Sequence, residues 1–399
     1  MISRDRYLNK LIGFKDKDFI KVISGIRRCG KTTLFTQFKN YLIKNGVAKD
    51  RIISLNFDDF TNRKLKEVET LYNYISKLLV DNDMYYIFLD EIQEVKNFEE
   101  VINSLYRYDN TDIYITGSNS HLLSGELATY LTGRYIKIEM MPLSFSEFSK
   151  VNEDSISLER LYKNYTLRGG FPSLTTLNEY DNQYTEALSS ILETIISRDI
   201  MQRNNFRDKR KIEDILAFIM DNIGNALSIR KIANTLTSDG RKISVQTVES
   251  YISEFVNSYL IYKAQRYDIK GKKYLKSLEK YYVSDIGLRN TFIGNKNTDI
   301  GHILENIVFL ELKRRFKEVY VGKINTNEID FVVNDPNAVI YFQVSATVRD
   351  NKTLERELKP LNMIKDHNPK YLLTLDNDIK RTLNGIIIIN AIDWLLQKE

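Results

Sequence analysis

A glycine-rich segment between two apolar stretches carries the residues with the clearest chemical meaning in this sequence. Gly25 and the pair Gly30-Lys31 have the spacing of the pattern G-x-x-x-x-G-K-[ST], which Thr32 completes. Glycines let the backbone curl so that successive N–H groups point at phosphate oxygens, and a helix that starts there adds the positive end of its dipole. The pattern therefore predicts a loop that binds a nucleoside triphosphate, with Lys31 reaching the β- and γ-phosphates and the Thr32 hydroxyl ligating Mg²⁺. The predicted nucleotide-binding residues are Gly25, Ile26, Arg27, Arg28, Cys29, Gly30, Lys31, Thr32 and Thr33.

Two carboxylates follow a second apolar run. Tyr85–Leu89 is continuously apolar and is followed by Asp90 and Glu91. Ligands of open α/β sheets bind at the carboxyl ends of the strands, where such residues emerge. We expect Asp90 to support Mg²⁺, through its water shell or by a bond to Thr32, and Glu91 to orient and polarise the attacking water. The alternative is an acidic helix cap, because Asp and Glu favour the first turn of a helix.

The next predicted strand, Ile113–Thr116, ends in the polar turn Gly117–Ser120. A side chain in this turn is expected between the two motif strands, within reach of the γ-phosphate or the attacking water. We predict Asn119 for this role, with Ser118 as the alternative. A polar turn without a catalytic role is the other interpretation, since such residues are common after strands.

Arg134 is the best candidate for stabilising charge on the transferred phosphoryl group. Arginine fingers are worth about 10³–10⁵ in turnover, and one supplied by a neighbouring subunit makes activity depend on oligomerisation. The alternative is an ordinary solvated arginine.

These residues need a sheet to position them. From the N-terminus to about Met141, short apolar runs alternate with helical stretches such as Thr33–Leu42, which is typical of a parallel sheet covered on both faces. The expected strands are Ile20–Ser24, Ile52–Phe57, Tyr85–Leu89, Ile113–Thr116 and Tyr135–Glu139.

A mostly helical middle is expected after Met141-Pro142, including Leu158–Leu167 and an amphipathic stretch from Asp181 to about Arg203. Three helices and a hairpin with a basic turn then follow, which is the layout of a winged helix-turn-helix. These elements are expected at Lys211–Asn222, Arg230–Thr237, Val245–Tyr259, Leu260–Tyr267 and Tyr274–Val283.

The charges of this region leave two interpretations open. One face of the third helix is apolar and is expected to face the core; it comprises Val245, Val248, Ile252, Phe255, Val256 and Tyr259. The predicted exposed face has two glutamates and no lysine or arginine, which is unfavourable beside phosphates. Basic residues lie nearby instead, in the wing, at Arg241-Lys242 and along Arg203–Lys211. We therefore weigh a DNA contact led by the wing against a protein-docking role. The residues of the exposed face are Gln246, Glu249, Ser250, Ser253 and Glu254, and the wing lysines are Lys270, Lys272 and Lys273.

Composition limits the class of protein. The chain has 399 residues, a net charge of +5, one cysteine and three histidines. This length allows two or three domains, and the small charge neither demands nor excludes nucleic acid. A single cysteine forms no internal disulfide, so we expect a cytoplasmic protein, and we expect no membrane segment.

Taken together, these motifs resemble a widespread bacterial and archaeal family of AAA-type ATPases with a C-terminal region of restriction-endonuclease-like fold. The resemblance implies ATP binding and hydrolysis and leaves the biological role open. The matching segments are Gly25–Thr32, Phe88–Gln93, Gly117–Ser120, Leu131–Arg134, Pro142–Phe148, Gly169–Pro172, Tyr281–Arg289, Leu304–Asn306, Glu328–Phe331 and Gln343–Ser345.

The order helix, three strands, helix, strand after about residue 298 is that of the PD-(D/E)XK nucleases. Asp330 fits their strand aspartate and Glu305 an outer ligand, but Gln343-Val344-Ser345 stands where Glu-x-Lys is expected. Glutamine is a poorer ligand for a hard cation than a carboxylate, and serine cannot replace an ammonium group. We therefore expect that cleavage is lost, with Lys352 or Arg349 as alternative sources of the missing charge.

The sequence thus predicts an α/β protein in three parts. These are a P-loop AAA-type ATPase domain (1–145), a helical lid with a winged helix (146–297) and an inactive nuclease-like domain (298–399). The predicted function is hydrolysis of Mg²⁺-ATP coupled to a conformational change on DNA or a protein partner, in a homo-oligomer if Arg134 acts between subunits. The alternatives are a nucleotide-gated binding module with negligible turnover and a metal-dependent DNA nuclease.

Overall fold

The structure is a computed structural model that describes residues 2–120, 133–151, 157–177, 183–295, 299–336, 338–377 and 381–396. The chain divides into two compact units. The first comprises Met1–Pro142 with Asn257–Tyr259, and the second Leu143–Val256 with Leu260–Glu399.

The first unit is a parallel α/β sheet, as the sequence predicted. Its elements are α1 (Asp5–Gly13), β1 (Ile20–Ser24), α2 (Lys31–Lys44), β2 (Ile52–Asn56), α3 (Val68–Leu78), β3 (Tyr85–Asp90), α4 (Phe98–Leu105), β4 (Thr111–Gly117) and β5 (Tyr135–Glu139). The strand order is β2-β3-β4-β1-β5, and every pair is parallel. The order confirms that β4 lies between the two motif strands. Helix α1 was not predicted.

Both faces of this sheet are covered, which explains its continuous apolar runs. All six residues of β3 are buried. On one face Phe88 stacks on Tyr114 with ring centroids 4.8 Å apart and meets Phe38 of α2 edge-on at 6.1 Å. On the other face Ile87 and Leu89 belong to a core that includes the buried side chains of α3 and α4.

The second unit begins with helices and ends in a mixed sheet. Its elements are α5 (Phe145–Val151), α6 (Leu158–Arg168), α7 (Gln183–Thr194), α8 (Lys209–Asp221), β6 (Ala226–Leu227), α9 (Ile229–Ser238), α10 (Val245–Asn257), β7 (Ile261–Asp268), β8 (Lys273–Val283), α11 (Ile286–Ile293), α12 (Ile300–Arg315), β9 (Val319–Ile324), β10 (Asn327–Asn334), β11 (Val339–Ser345), α13 (Asn351–Asn362), β12 (Lys370–Thr374), β13 (Arg381–Leu383), β14 (Ile386–Asn390) and α14 (Ala391–Leu395). The predicted stretch from Asp181 to Arg203 is α7 followed by a π-helix, Ile195–Gln202. Asp181 itself lies outside the described residues.

One sheet joins the predicted wing to the C-terminal strands. Its order is β13-β14-β12-β11-β10-β9-β7-β8-β6, and β7 pairs in parallel with β9 through Arg266 and Val321. Strands of the two predicted segments 146–297 and 298–399 thus share backbone hydrogen bonds. The three-domain division stays a prediction, and so do the winged-helix and nuclease-like assignments.

Helix α10 differs from the predicted third helix in three positions. The helix ends at Asn257, and Tyr259 lies beyond it with φ of 58°, a left-handed conformation that a helix cannot continue through. Val245, predicted to face the core, is 42% exposed. Glu254, predicted to be exposed, is buried and accepts a hydrogen bond from Asn204 Nδ2 at 2.9 Å. Glu254 is therefore buried on a face predicted to be exposed, because Asn204 on another helix offers it a polar partner.

Two segments that matched the family meet in the second unit. The Gly170 backbone N–H donates to Asp285 Oδ2 at 2.6 Å. A Cβ on Gly169 would lie 1.9 Å from Asp285 Oδ1, and one on Gly287 would lie 2.2 Å from the Arg168 carbonyl oxygen. Burial raises the pKa of Asp285 to about 6, although backbone N–H donors oppose this shift. These glycines are needed because the backbones of α6 and α11 approach closely.

We predict that Gly287→Ala destabilises the second unit, whereas Gly301→Ala does not. Both glycines are the second residue of a helix, but a Cβ on Gly301 meets nothing within 4 Å. Forcing a methyl group against a backbone carbonyl costs about 1–3 kcal/mol, while alanine in an open helical position is favourable by up to about 1 kcal/mol. Urea unfolding followed by tryptophan fluorescence measures the difference, since the sole tryptophan, Trp394, lies in this unit. Equal stabilities of the two variants would contradict the close approach.

Candidate nucleotide-binding site

The glycine-rich loop joins β1 to α2 with a tightly curled backbone. Gly25, Arg28 and Gly30 have φ of 154°, 66° and 106°. Such angles favour glycine, and Arg28 adopts its value at a cost of about 1–3 kcal/mol. A Cβ on Gly25 would lie 2.0 Å from the Met140 carbonyl oxygen, so no larger residue fits there. The curl is the backbone feature that the pattern predicted.

Side chains of the loop divide between core and solvent. Ile26 and Cys29 are buried, and burial raises the pKa of the Cys29 thiol. Arg28 is exposed, and Arg27 forms an ion pair with Asp58 at 3.6 Å. The two loop arginines thus differ in their surroundings, since Arg28 is exposed and Arg27 is paired with a carboxylate.

Arg4 is a buried support of the loop that the sequence did not indicate. Its guanidinium donates to the Cys29 carbonyl at 2.9 Å and to the Met141 carbonyl at 2.7 Å. It also lies 4.9 Å from the centre of the Tyr7 ring, and the residue is 2% exposed. One arginine thus ties the loop to the end of the strand beside it, because its planar fork spans two carbonyls.

The Lys31 ammonium is directed back over the loop. It donates to the carbonyls of Gly25 at 3.0 Å and Ile26 at 3.3 Å, and it lies 3.6 Å from Glu91 Oε1. The two chain segments that carry the motifs are therefore in direct contact. Thr32 and Thr33, the next two residues of α2, are exposed.

Asp90 is the buried junction of the site. Thr32 Oγ1 donates to Asp90 Oδ2 at 2.6 Å, and Thr116 Oγ1 donates to Asp90 Oδ1 at 2.5 Å. Burial raises the pKa of Asp90, while the two hydroxyl donors oppose this shift. Of the two predicted arrangements of Asp90, the structure has the direct bond to Thr32. A hydroxyl and a carboxylate oxygen are ligand types that Mg²⁺ prefers. The described part of the chain has no cluster of three or more His, Cys, Asp or Glu able to hold a metal ion.

Glu91 follows β3 with φ of 53°. Its backbone N–H donates to Thr116 Oγ1 at 2.9 Å, and Gln93 Nε2 donates to its carboxylate at 2.5 Å. Glu91 precedes the short 3₁₀ turn Ile92–Glu94, but its side chain makes no capping hydrogen bond. The helix-cap interpretation therefore does not account for the Glu91 side chain. Thr116, which bonds the Asp90 carboxylate and the Glu91 backbone N–H, was predicted only as the end of a strand.

Asn119 and Ser118 are both buried in the turn after β4. Because β4 lies between β1 and β3, this turn emerges at the same edge of the sheet as the loop and Glu91. The neighbouring Ser120 hydroxyl donates to Asn257 Oδ1 at 2.9 Å. The structure thus brings Asn119 to the predicted edge and keeps Ser118 as an alternative.

Tyr259 belongs to the first unit, although we predicted it as the last residue of the third helix of the middle segment. Its hydroxyl donates to Ser24 Oγ at 2.9 Å, directly before the loop, and Lys137 Nζ lies 5.3 Å from its ring centre. No spacing in the sequence links Tyr259 to Ser24, since 235 positions separate them.

Arg134 lies at the other end of the sheet. Its carbonyl accepts from the N–H of Ile20, the first residue of β1, whereas the loop follows the last residue, Ser24. Four residues of strand, about 13 Å, separate these positions. The exposed guanidinium is 3.4 Å from Asn103 Oδ1 and 5.6 Å from the Tyr106 ring centre. Arg134 is therefore not brought to the loop of its own chain. The residues before it in the predicted turn, Leu131 and Thr132, lie outside the described part.

The predicted nuclease position of the second unit has a lysine at its centre. Lys280 Nζ lies 3.0 Å from Glu305, 2.7 Å from Glu328 and 4.0 Å from Asp330. Burial, more than any other influence, raises the pKa of Asp330 well above its usual value. Strand β8, part of the predicted wing, thus supplies a cation that the sequence did not indicate.

The remaining residues of that region have other partners. Gln343 Nε2 donates to Glu357 at 2.9 Å, and Arg349, proposed as a substitute charge, lies 3.3 Å from Asp376. Lys352, the other proposed substitute, is exposed in α13.

Two regions of the chain match known domain families, and the whole chain resembles two known proteins. Residues 17–149 match an AAA domain family, and residues 159–299 match a domain of unknown function, DUF8612. An uncharacterized protein of Haemophilus influenzae is 41% identical over 401 residues, covering 100% of this chain and 99% of the relative. An uncharacterized protein of Methanocaldococcus jannaschii is 34% identical over 387 residues, covering 91% and 83%. The chain belongs to the family of these two proteins.

The fold of the AAA region has a solved counterpart. A Walker-type ATPase of Pyrococcus abyssi superposes with a TM-score of 0.51 at 15% identity, covering 73% of this chain and 96% of that one. Together with the parallel sheet and the loop, this identifies the first unit as an AAA-type, P-loop ATPase-like domain. Among the described residues, no helix has both the length and the apolar character needed to cross a membrane.

We predict that Thr116→Val loosens the first unit because it removes one hydrogen bond from Asp90 and one from the backbone of Glu91. Hydrogen bonds to charged groups contribute about 1.5–3 kcal/mol each. The rate of Cys29 alkylation under native conditions reports opening of this unit, since the only cysteine is buried and its thiolate is the reactive form. We expect alkylation to accelerate at least about tenfold. Thr70→Val, at an exposed position of α3, is the control, and equal rates in both variants would contradict the role of Thr116.

Proposed function

We propose that the first unit binds Mg²⁺-ATP and hydrolyses it. The observation that supports this most directly is the shared hydrogen bonding of Asp90 with Thr32 and Thr116, beside a Glu91 carboxylate 3.6 Å from Lys31. Buried carboxylates with hydroxyl partners at the edge of a parallel sheet are suited to a metal-bound phosphate. The loop N–H groups and the start of α2 favour the negative charge of that phosphate.

Each residue has a distinct proposed role. Lys31 neutralises phosphate charge, and Thr32 and Asp90 hold Mg²⁺, which supplies charge stabilisation when bound. Glu91 orients a water molecule and accepts its proton, with its carboxylate held between Lys31 and Gln93. Asn119, with Ser118 as the alternative, hydrogen-bonds the transferred phosphate or the water.

We predict that Lys31→Ala abolishes ATP binding and that Glu91→Gln keeps binding but lowers turnover at least about 100-fold, because a general base contributes 10²–10⁴. Phosphate release and binding of a fluorescent ATP analogue measure the two effects. Glu94→Gln, an exposed neighbour paired with Lys66, is the matched control. Undiminished hydrolysis by Glu91→Gln would contradict the assignment. Retention of ATP without turnover by the unaltered protein would favour a nucleotide-gated binding module.

We also propose that Arg134 acts on the site of a neighbouring copy of the chain. Its position about 13 Å of strand from its own loop, and its exposure, support a role between subunits rather than within one.

This proposal predicts that ATPase activity per chain rises with protein concentration. Arg134→Ala should lower turnover by about 10³ or more, and mixing it with Lys31→Ala protein should restore part of the activity, because each supplies what the other lacks. Arg107→Ala, an exposed arginine of the same unit, is the control. Activity that depends on neither concentration nor Arg134 would contradict the trans arrangement.

For the second unit we propose a winged helix and a nuclease-like domain without cleavage activity. Gln343 supports the loss of cleavage, since its amide is bonded to Glu357 and offers a metal ion no carboxylate. We propose that nucleotide state alters the interaction of this unit with DNA or a protein partner. A cytoplasmic location stays a prediction from the cysteine content.

A further inference from the structure

An open groove lies where the wing turn approaches helix α13. We call it the wing groove and define it by the six polar residues Lys270, Asn325, Lys359, Asn362, Lys365 and Asn384. Three of these come from turns of the mixed sheet, and the others from the C-terminal half of α13 and the residues after it. The groove also has one carboxylate, Glu355, and apolar contacts from Leu358 and Met363.

The wing groove has a net positive charge, with three lysines and one glutamate among its lining residues. Lys270, Lys359 and Lys365 are exposed and form no ion pair with the described residues, and Lys272 and Lys273 extend the positive charge along the wing turn. The whole chain has a net charge of only +5, so this surface concentrates charge that is balanced elsewhere. Ammonium groups with neighbouring side-chain amides are suited to phosphodiester oxygens, which accept hydrogen bonds from both.

Hydrogen bonds hold the backbone of the wing turn that carries Lys270. The N–H groups of Lys270 and Gly271 both donate to Asp268 Oδ1, at 3.1 and 3.0 Å, and the Ile269 N–H donates to the Lys323 carbonyl at 3.0 Å. Asp268 uses its carboxylate for these bonds, which lower its pKa. The wing turn is therefore fixed to the sheet, and Lys270 is presented from a rigid base.

An exposed aromatic ring lies on the same side of the sheet. Tyr274 is 54% exposed, and its ring packs against Tyr320 and Tyr267 with centroids 5.1 and 5.6 Å apart. Tyr267 and Tyr320 pack on the core that contains Leu358 of the wing groove. A supported, exposed ring offers a stacking surface to a base, and bases are accessible for stacking only in unpaired strands.

We propose that the wing groove and Tyr274 bind single-stranded DNA, with the lysines and amides on the sugar–phosphate backbone and a base stacked on the tyrosine ring. The lysines alone would also suit an acidic protein, and the exposed ring beside them favours a nucleic-acid strand because it offers a base a stacking surface. The inference deepens the proposed function, because it assigns DNA as the partner of the second unit.

The test is binding of a fluorescently labelled single strand of about 16 nucleotides, followed by anisotropy between about 50 and 200 mM salt. We compare the triple variant Lys270→Gln, Lys359→Gln, Lys365→Gln with a control triple, Lys44→Gln, Lys49→Gln, Lys77→Gln, from exposed positions of the first unit. Removing three phosphate contacts should lower the slope of log K against log salt by about 2 and weaken binding, whereas the control should match the unaltered protein. Circular dichroism establishes that each variant is folded.

Stacking is tested separately at Tyr274. Tyr274→Ala should weaken binding about tenfold, and Tyr274→Phe should restore it, because stacking needs the ring and not the hydroxyl. An unaffected groove variant, an equally weakened control triple, or no binding by the unaltered protein would each overturn the proposal. Preference for a duplex of the same length, with no effect of Tyr274→Ala, would overturn it too. All measurements are made without nucleotide, so a failure of ATP hydrolysis leaves their outcome unchanged.

Discussion

The buried carboxylate of Asp90 is the constraint on which the rest of the first unit depends. A carboxylate removed from water needs hydrogen-bond donors, and the Thr32 and Thr116 hydroxyls supply them from α2 and β4. These bonds tie the start of the loop helix to two strands and bring Glu91 within 3.6 Å of Lys31. The curled loop and the polar side chains that follow β3 and β4 therefore meet at one edge of the sheet.

In the second unit, carboxylates are paired with an ammonium group instead of hydroxyl groups. Glu305, Glu328 and the buried Asp330 share the ammonium group of Lys280, which comes from β8 rather than from the segment that resembles a nuclease. Removing one partner of a buried ion pair costs about 3–5 kcal/mol, so this lysine is under structural constraint. The ammonium group thus compensates the negative charge of these three carboxylates within the protein.

The two glycine-containing family motifs around Gly169 and Gly287 have a packing explanation. Gly169, Gly170 and Gly287 allow two helices and the Asp285 carboxylate to approach, and side chains in their place would meet backbone or carboxylate oxygens. A short glycine-containing motif is therefore no sign of chemistry by itself. Its meaning depends on whether a ligand or another part of the chain occupies the space that glycine leaves.

Structural features that depend on neighbouring residues could be predicted from the sequence. The curled loop, the buried parallel strands and the carboxylates at the end of β3 follow from glycine conformation, apolar runs and strand polarity, which depend on near neighbours. Contacts between segments that are distant in the sequence could not be predicted. Arg4 under the loop, Tyr259 on Ser24, Lys280 among the carboxylates and the pairing of β7 with β9 depend on backbone and side-chain groups that have no periodic signature. The sequence by itself thus determined which residues form one candidate site and most of the helices and strands. Only the tertiary structure decided which residues support that site, since burial and partner choice arise when distant elements pack together.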